Sequence, residues 1–267
     1  MFISLLFLCF HYINYRTMSE IIESGKYKNL FGDRFELIDH GLQNGEFNMN
    51  FDFQRALDLQ RENVLPMLRL YAWKPWAVSL GMNQKEDDID MDLCNKKGFD
   101  IVRRPTGGRA VLHAQELTYS VVLKIPNGYN VHDCYRDIHT FLLTGLQKLG
   151  CTELHFEKSQ PDLKNFYQNR NLSLSCFASA ARYEIEYKGR KLVGSAQHNY
   201  NGVLLQHGSI LLGKGHEQLS DVANLKSDKE RQILKRYILN HSTTIENILN
   251  RKVEYEEVAK AIKSLFY

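Results

Sequence analysis

The stretch from Tyr183 to Leu212 constrains the fold more than any other part of the chain. Tyr183–Tyr187 alternates aromatic or aliphatic residues with charged ones, the period of a half-buried strand. Lys188-Gly189-Arg190 supplies a turn in which Gly189 is free to take a positive φ. Lys191-Leu192-Val193 then returns as the second strand of a hairpin. It runs into Gly194-Ser195-Ala196, residues small enough for a ligand to lie against the backbone. A further strand, Gly202–Leu212, follows a short polar link. His207 and Ser209 interrupt its apolar run, so that strand is expected to turn a polar edge toward a cavity.

The rest of the chain reads as strands and helices in mixed order. Phe35–Asp39, Leu68–Tyr71 and Ala77–Leu80 read as strands, and Asn48–Arg61 as a helix with apolar residues at helical spacing. Asp90–Gly98 reads as a short helix ending on a glycine. Phe99–Arg103 is a strand entering a Gly107-Gly108 loop, and Leu117–Lys124 returns from it. Val131–Leu149 is the clearest helix, with Val131, Tyr135, Ile138, Leu142, Leu146 and Leu149 on one face. The polar stretch 158–171 reads as a loop able to cover a site. Asp228–Leu239 and Tyr255–Phe266 are two closing helices. This order predicts an α+β fold, a mixed and mainly antiparallel sheet with helices packed on it.

At 267 residues the chain fits one domain, expected over 31–267 with C-terminal helices, after an extension over 1–30. The apolar run Met1–Phe10 is too short to span a bilayer, which takes about 20 residues, and it lacks the basic start and cleavage site of a secretory signal. Met18 is the expected initiator. A formal charge of only +3 makes no case for nucleic acid, and no membrane partner is expected. The mildly basic balance suits an acidic protein partner. Cysteines at 9, 94, 134, 151 and 176 form neither a C-x-x-C pair nor a zinc spacing, and fit free thiols in a reducing cytoplasm. Cys134 and Cys151 flank the long helix and read as packing residues. The chain has no H-E-x-x-H, no phosphate-binding G-x-x-x-x-G-K-[ST] loop and no G-x-S-x-G elbow.

Cys176 stands fifteen positions before Lys191. A free thiol has a pKa of about 8.5 and is mostly protonated at neutral pH, so it needs a neighbouring cation to act as a nucleophile. An ammonium on the adjacent hairpin strand meets that need. Taken alone, Cys176 would be read as a small buried apolar residue and Lys191 as a solvated strand residue. The earlier block Arg103-Arg104-Pro-Thr-Gly107-Gly108-Arg109-Ala-Val-Leu-His113 reads as a small-molecule cradle, with backbone amides beside Gly107 and Gly108 turned to a substrate. His113 and His207 are read both as structural hydrogen-bonding groups and as pocket residues.

These blocks resemble the biotin/lipoate protein ligase superfamily, and within it the octanoyltransferases of the LipM type. The matching runs are Arg103–Ser120, Cys176-Phe177-Ala178, Gly189–Gln197 and Leu205–Leu212, joined by Phe47–Asp52 and Leu68–Trp73, and they span roughly 35–250. The chain departs from the family pattern at Ala114 and Ala178, where the family has aspartate. The resemblance implies a biotin/lipoate ligase-like catalytic domain. It also implies transfer of an octanoyl group from acyl carrier protein to a lysine of an apo lipoyl domain, either glycine cleavage H protein or a 2-oxoacid dehydrogenase E2. The acyl group would rest as a thioester on Cys176, with Lys191 lowering the thiol pKa. Arg103, Arg104, Gly107, Gly108, Arg109, His113, Gly194, Ser195, Ala196 and His207 would bind substrate. Exchange between thioesters is nearly neutral and thioester to amide is downhill, so no nucleotide or other cofactor is expected; the enzyme is expected to be a monomer. The alternatives are an ATP-dependent lipoate or octanoate ligase, in which Lys191 binds carboxylate or phosphate, a lipoyl-domain amidotransferase, and a non-catalytic binding relative.

Overall fold

The computed structural model describes residues 18–62, 64–156 and 183–267. The strands are β1 (Met18–Glu23), β2 (Arg34–Gln43), β3 (Met67–Trp73), β4 (Ala77–Leu80), β5 (Asp100–Arg103), β6 (Val111–His113), β7 (Glu116–Lys124), β8 (His155–Phe156), β9 (Ile185–Tyr187), β10 (Arg190–Lys191), β11 (Val193–Tyr200) and β12 (Val203–Leu211). The helices are α1 (Lys28–Phe31), α2 (Gly45–Gln60), α3 (Met91–Lys97), α4 (Val131–Lys148), α5 (Leu219–Val222), α6 (Asp228–His241), α7 (Ile245–Leu249) and α8 (Tyr255–Lys263).

Six strands form the main sheet in the order β1-β2-β3-β7-β12-β11. Only the β2–β3 pairing is parallel; the others are antiparallel. A second sheet, β5-β4-β6, pairs β4 parallel to β5 and antiparallel to β6. A third, β10-β9-β8, is antiparallel throughout. The fold is thus α+β with mixed, mostly antiparallel sheets, as the sequence predicts.

Strand alternation sorts the core into layers. Leu68, Leu70, Tyr119, Val121 and Leu204 turn one face of the main sheet to Ile138, Phe141 and Leu142 of α4 and to Val258 and Ile262 of α8. Met67, Val122 and Leu205 turn the other face to Ala56 and Leu59 of α2. In the second sheet Val78, Leu80 and Leu112 pack outward on Cys94 of α3, Val222 of α5 and Ile238 of α6. The inward faces of the first two sheets meet, and the cavity described below lies between them.

Local chemistry sets the helix ends. Asn44 caps α2 by accepting from the Phe47 amide at 2.8 Å, so the helix begins at Gly45 rather than at Asn48. Gly45 has a packing role: a Cβ there would lie 2.8 Å from Val102 Cγ1. Asn130 and Asp133 form a capping box on α4. Cys134 and Cys151 are fully buried in the main core, and burial pushes each thiol up to about 11.

Two differences from the sequence reading matter for the site. Residues 18–30, read as part of an extension, add β1 to the sheet edge and place Leu30 in the core. The strand read from Lys191 into Gly194 divides at Leu192. Before it, Lys191 pairs with Glu186 in the third sheet; after it, Val193–Tyr200 pairs with β12 in the main sheet. Leu192 joins the two, its amide donating to Ile185 O and its carbonyl accepting from Leu211 N. Lys191 therefore stands at a seam between sheets.

Candidate active site

A cavity of about 340 Å³, its open mouth included, lies between the main and second sheets. Met49, Tyr71, Trp73 and Val111 supply its apolar and aromatic surface, and Ser79, Arg104, His113, Thr118, His207 and Ser209 its polar groups. Gly194, Ser195, Ala196 and Gly208 complete the wall. Strand alternation produces this lining: Ser79 points in between outward Val78 and Leu80, and Val111 and His113 point in on either side of Leu112.

Gly208 is required by space. A Cβ there would lie 2.5 Å from Ser195 Oγ and 2.7 Å from Gly194 O. Gly208→Ala is expected to force β11 off β12 and to destabilise the fold by about 1–3 kcal/mol, measured by denaturant unfolding. An unchanged midpoint would refute this account of the wall.

Arg104, 4% exposed, organises the glycine loop. Its Nη2 donates to Gly107 O and Arg109 O at 2.8 and 2.7 Å, and its Nη1 to Ser79 O at 3.0 Å. Gly108 takes φ +95°, and a Cβ on it would lie 2.7 Å from Arg104 Nη2. Gly107, Gly108 and Arg109 thus shape the loop and do not line the cavity. Arg103 points elsewhere: its guanidinium donates to Gly81 O and Gln84 O at 2.9 and 2.8 Å and pairs with Glu86 at 3.0 Å.

His207 is tied on both sides. Nδ1 lies 3.3 Å from Asp52 Oδ2 and Nε2 2.6 Å from Thr106 Oγ1. Burial pushes the imidazole down, against the opposing pull of Asp52. Behind it, fully buried Asp52 and Arg69 pair at 2.8 Å, Tyr71 donates to Asp52 at 3.0 Å, and Arg69 also donates to Asn48 and His40. Burial and the Arg69 charge push His40 down to about 4. His113 stacks on Trp73 with ring centroids 3.9 Å apart and 11° between planes.

Lys191 is 7% exposed at its side chain, with Nζ 2.8 Å from Glu184 Oε1, itself 5% exposed. Near it, His139 Nε2 lies 2.9 Å from Ser195 Oγ and Nδ1 2.7 Å from Tyr183 O. Burial pushes His139 down to about 3; the bond to the Tyr183 carbonyl opposes this and the Lys191 charge adds to it. Lys191 is therefore within electrostatic reach of the pair that carries Ser195 into the cavity wall. Cys176 lies outside the described residues, as does the stretch 158–171.

The structure thus brings Arg104, His113, Gly194, Ser195, Ala196 and His207 to one cavity, whereas Lys191 does not line it and is held by Glu184 at the seam between sheets. Sequence reasoning did not single out Ser79, Thr118, Asp52, Arg69, His139 or Glu184. The usable signal was polarity at a buried period: Ser79 inside an apolar strand, and His139 one turn after Tyr135 on the core face of α4.

The α+β scaffold holds a partly apolar cavity between its first two sheets. The family model of the lipoyl protein ligase A/B catalytic domain matches residues 44–267, and the chain belongs to that family. Octanoyltransferase LipM of Kyrpidia tusciae is 37% identical over 238 residues, covering 87% of this chain and 85% of that protein. Octanoyltransferase LipM of Bacillus subtilis is 35% identical over 243 residues, covering 88% and 85%. A structure of an archaeal lipoylation system from Thermoplasma acidophilum, a bi-partite lipoate protein ligase with its E2 lipoyl domain, is similar with a TM-score of 0.63 at 21% identity, covering 84% of this chain and 78% of that one. Lipoate-protein ligase A bound with ATP is similar with a TM-score of 0.60 at 22% identity, covering 83% and 79%. These two likenesses establish the fold. Among the described residues no helix is long and apolar enough to cross a membrane.

Proposed function

We propose that this protein is an acyltransferase of lipoate biosynthesis, moving an octanoyl group from acyl carrier protein to a lysine of an apo lipoyl domain. The acceptor would be glycine cleavage H protein or a 2-oxoacid dehydrogenase E2, and the setting the cytoplasm. The observation that carries the reading is a partly apolar cavity walled by Gly194-Ser195-Ala196, in a chain whose relatives are octanoyltransferases and whose Lys191 is buried just before that wall in sequence.

In this reading the Cys176 thiolate attacks the donor thioester carbonyl. A new C–S bond forms, the carrier C–S bond breaks, and the carrier thiolate leaves and is protonated. The acceptor amine then attacks the acyl-cysteine, forming the amide, losing a proton and releasing the Cys176 thiolate. The Lys191 ammonium stabilises that thiolate in both steps. Met49, Tyr71 and Trp73 offer apolar surface to the chain, and the small Gly194-Ser195-Ala196 wall lets the carbonyl approach the backbone.

Intact-protein mass spectrometry tests this after mixing the enzyme with octanoyl-carrier protein, without ATP. One octanoyl adduct, removed by hydroxylamine and absent from Cys176→Ala, is expected. No adduct, with acylation of a lipoyl domain only when octanoate and ATP are supplied, would reassign the protein as a ligase.

A further inference from the structure

One group of residues at the cavity carries no bond-making step of the cysteine route. Ser79 Oγ lies 2.8 Å from His113 Nε2, and His113 Nδ1 lies 2.8 Å from Glu116 Oε1. A carboxylate only accepts hydrogen bonds, so in the neutral ring Nδ1 carries the proton and Nε2 accepts from the Ser79 hydroxyl. The order is nucleophile, base, orienting carboxylate. Ser79 and His113 both line the cavity.

The surroundings hold this order in place. The His113 ring is clamped by its stack on Trp73. Glu116 Oε1 also accepts from Thr118 Oγ1 at 2.6 Å and from Ser209 Oγ at 2.8 Å. Glu116 is 3% exposed, and among the described residues its Oε2 has no hydrogen-bond partner. Arg104 Nη1 lies 3.2 Å from Ser79 Oγ, a fixed positive group that favours the alkoxide over the hydroxyl.

We propose that Ser79, with His113 and Glu116, is a second acyl acceptor that hydrolyses medium-chain acyl esters and thioesters in this cavity. Ser79 Oγ attacks the carbonyl carbon, and its proton passes to His113 Nε2. The C–O bond forms, the C–S or C–O bond of the substrate breaks, and the leaving group takes the proton from His113. Water then attacks the acyl-serine, with His113 accepting its proton and returning one to Ser79 Oγ, and the free acid departs. The choice of an acyl substrate rests on the function proposed above; the geometry of the three side chains does not.

The probe is octyl fluorophosphonate, applied to Cys176→Ala so that the thiol cannot contribute. An activated serine oxygen displaces fluoride at phosphorus and leaves a stable mass adduct. One adduct mapping to Ser79 is expected, with labelling and hydrolysis of p-nitrophenyl octanoate about a hundredfold slower when Glu116→Gln is added. Ser79→Ala in the same background should remove both signals. If that variant does not fold, peptide mapping in Cys176→Ala alone still decides. No adduct, an adduct on another residue, or a labelling rate indifferent to Glu116→Gln would each overturn the proposal. Failure here alongside a normal Cys176 adduct leaves the transferase reading standing. Serine labelling in a protein whose Cys176 never acylates would do the reverse.

Discussion

Lys191→Met is expected to lower acyl transfer by about a hundredfold or more and to slow alkylation of Cys176 near neutral pH by about tenfold or more. Both effects follow from removing the cation proposed to hold the thiolate. The substitution also takes the ammonium away from Glu184, 2.8 Å distant and buried. Removing one member of a buried pair costs about 3–5 kcal/mol, so lost activity alone would not separate chemistry from folding. Lys191→Met with Glu184→Gln separates them: stability should return in large part, while transfer and alkylation stay slow. Alkylation at the wild-type rate in that folded double variant would remove Lys191 from the activating role.

The second large effect is expected at Asp52. Asp52→Ala leaves the Arg69 guanidinium fully buried without its carboxylate, and should destabilise the protein by about 3–5 kcal/mol. Burial raises the Asp52 carboxyl, but Arg69 and His207 together outweigh it and hold the group below its usual range. A depressed carboxyl contributes stability above its unfolded pKa, about 3.9, and loses it as pH falls through the folded value. The gap between wild type and Asp52→Ala should therefore be full near neutral pH and close below about pH 4, as read by denaturant midpoints across pH. A gap constant to pH 3 would contradict the ion-pair account. His207 and Tyr71 both lean on Asp52, so the cavity wall should loosen in the same variant.

The sequence was legible where one pattern ran long enough. The core face of α4, the turn at Gly189 and the glycine end of α3 could all be read because periodicity or left-handed backbone leaves a local trace. β6, β8 and β10 span two or three residues and exist only through pairing partners distant in the chain. The polar run of β11, Ser195-Ala-Gln-His-Asn199, has no strand composition; its pairing with β12 makes it a strand. The same holds for the site. Arg104, His113 and His207 stood out because polar residues interrupt apolar runs or flank glycines. Arg103 stood out equally, yet it holds the Gly81–Glu86 loop, since it ends β5 while Arg104 opens the glycine loop that follows. Glu184 was hidden in a charged alternation that reads as solvated, and only the fold turns it onto Lys191.

The burial of Cys94, Cys134 and Cys151 gives the molecule an internal clock for opening. Each is closed to solvent and carries a thiol pushed up to about 11. A thiol reagent near neutral pH therefore finds these three silent while the core is shut. Cys94 sits in the layer behind the second sheet, and Cys134 and Cys151 in the layer behind the main one. The order in which their labels arrive under rising denaturant would report which half of the cavity's frame comes apart first.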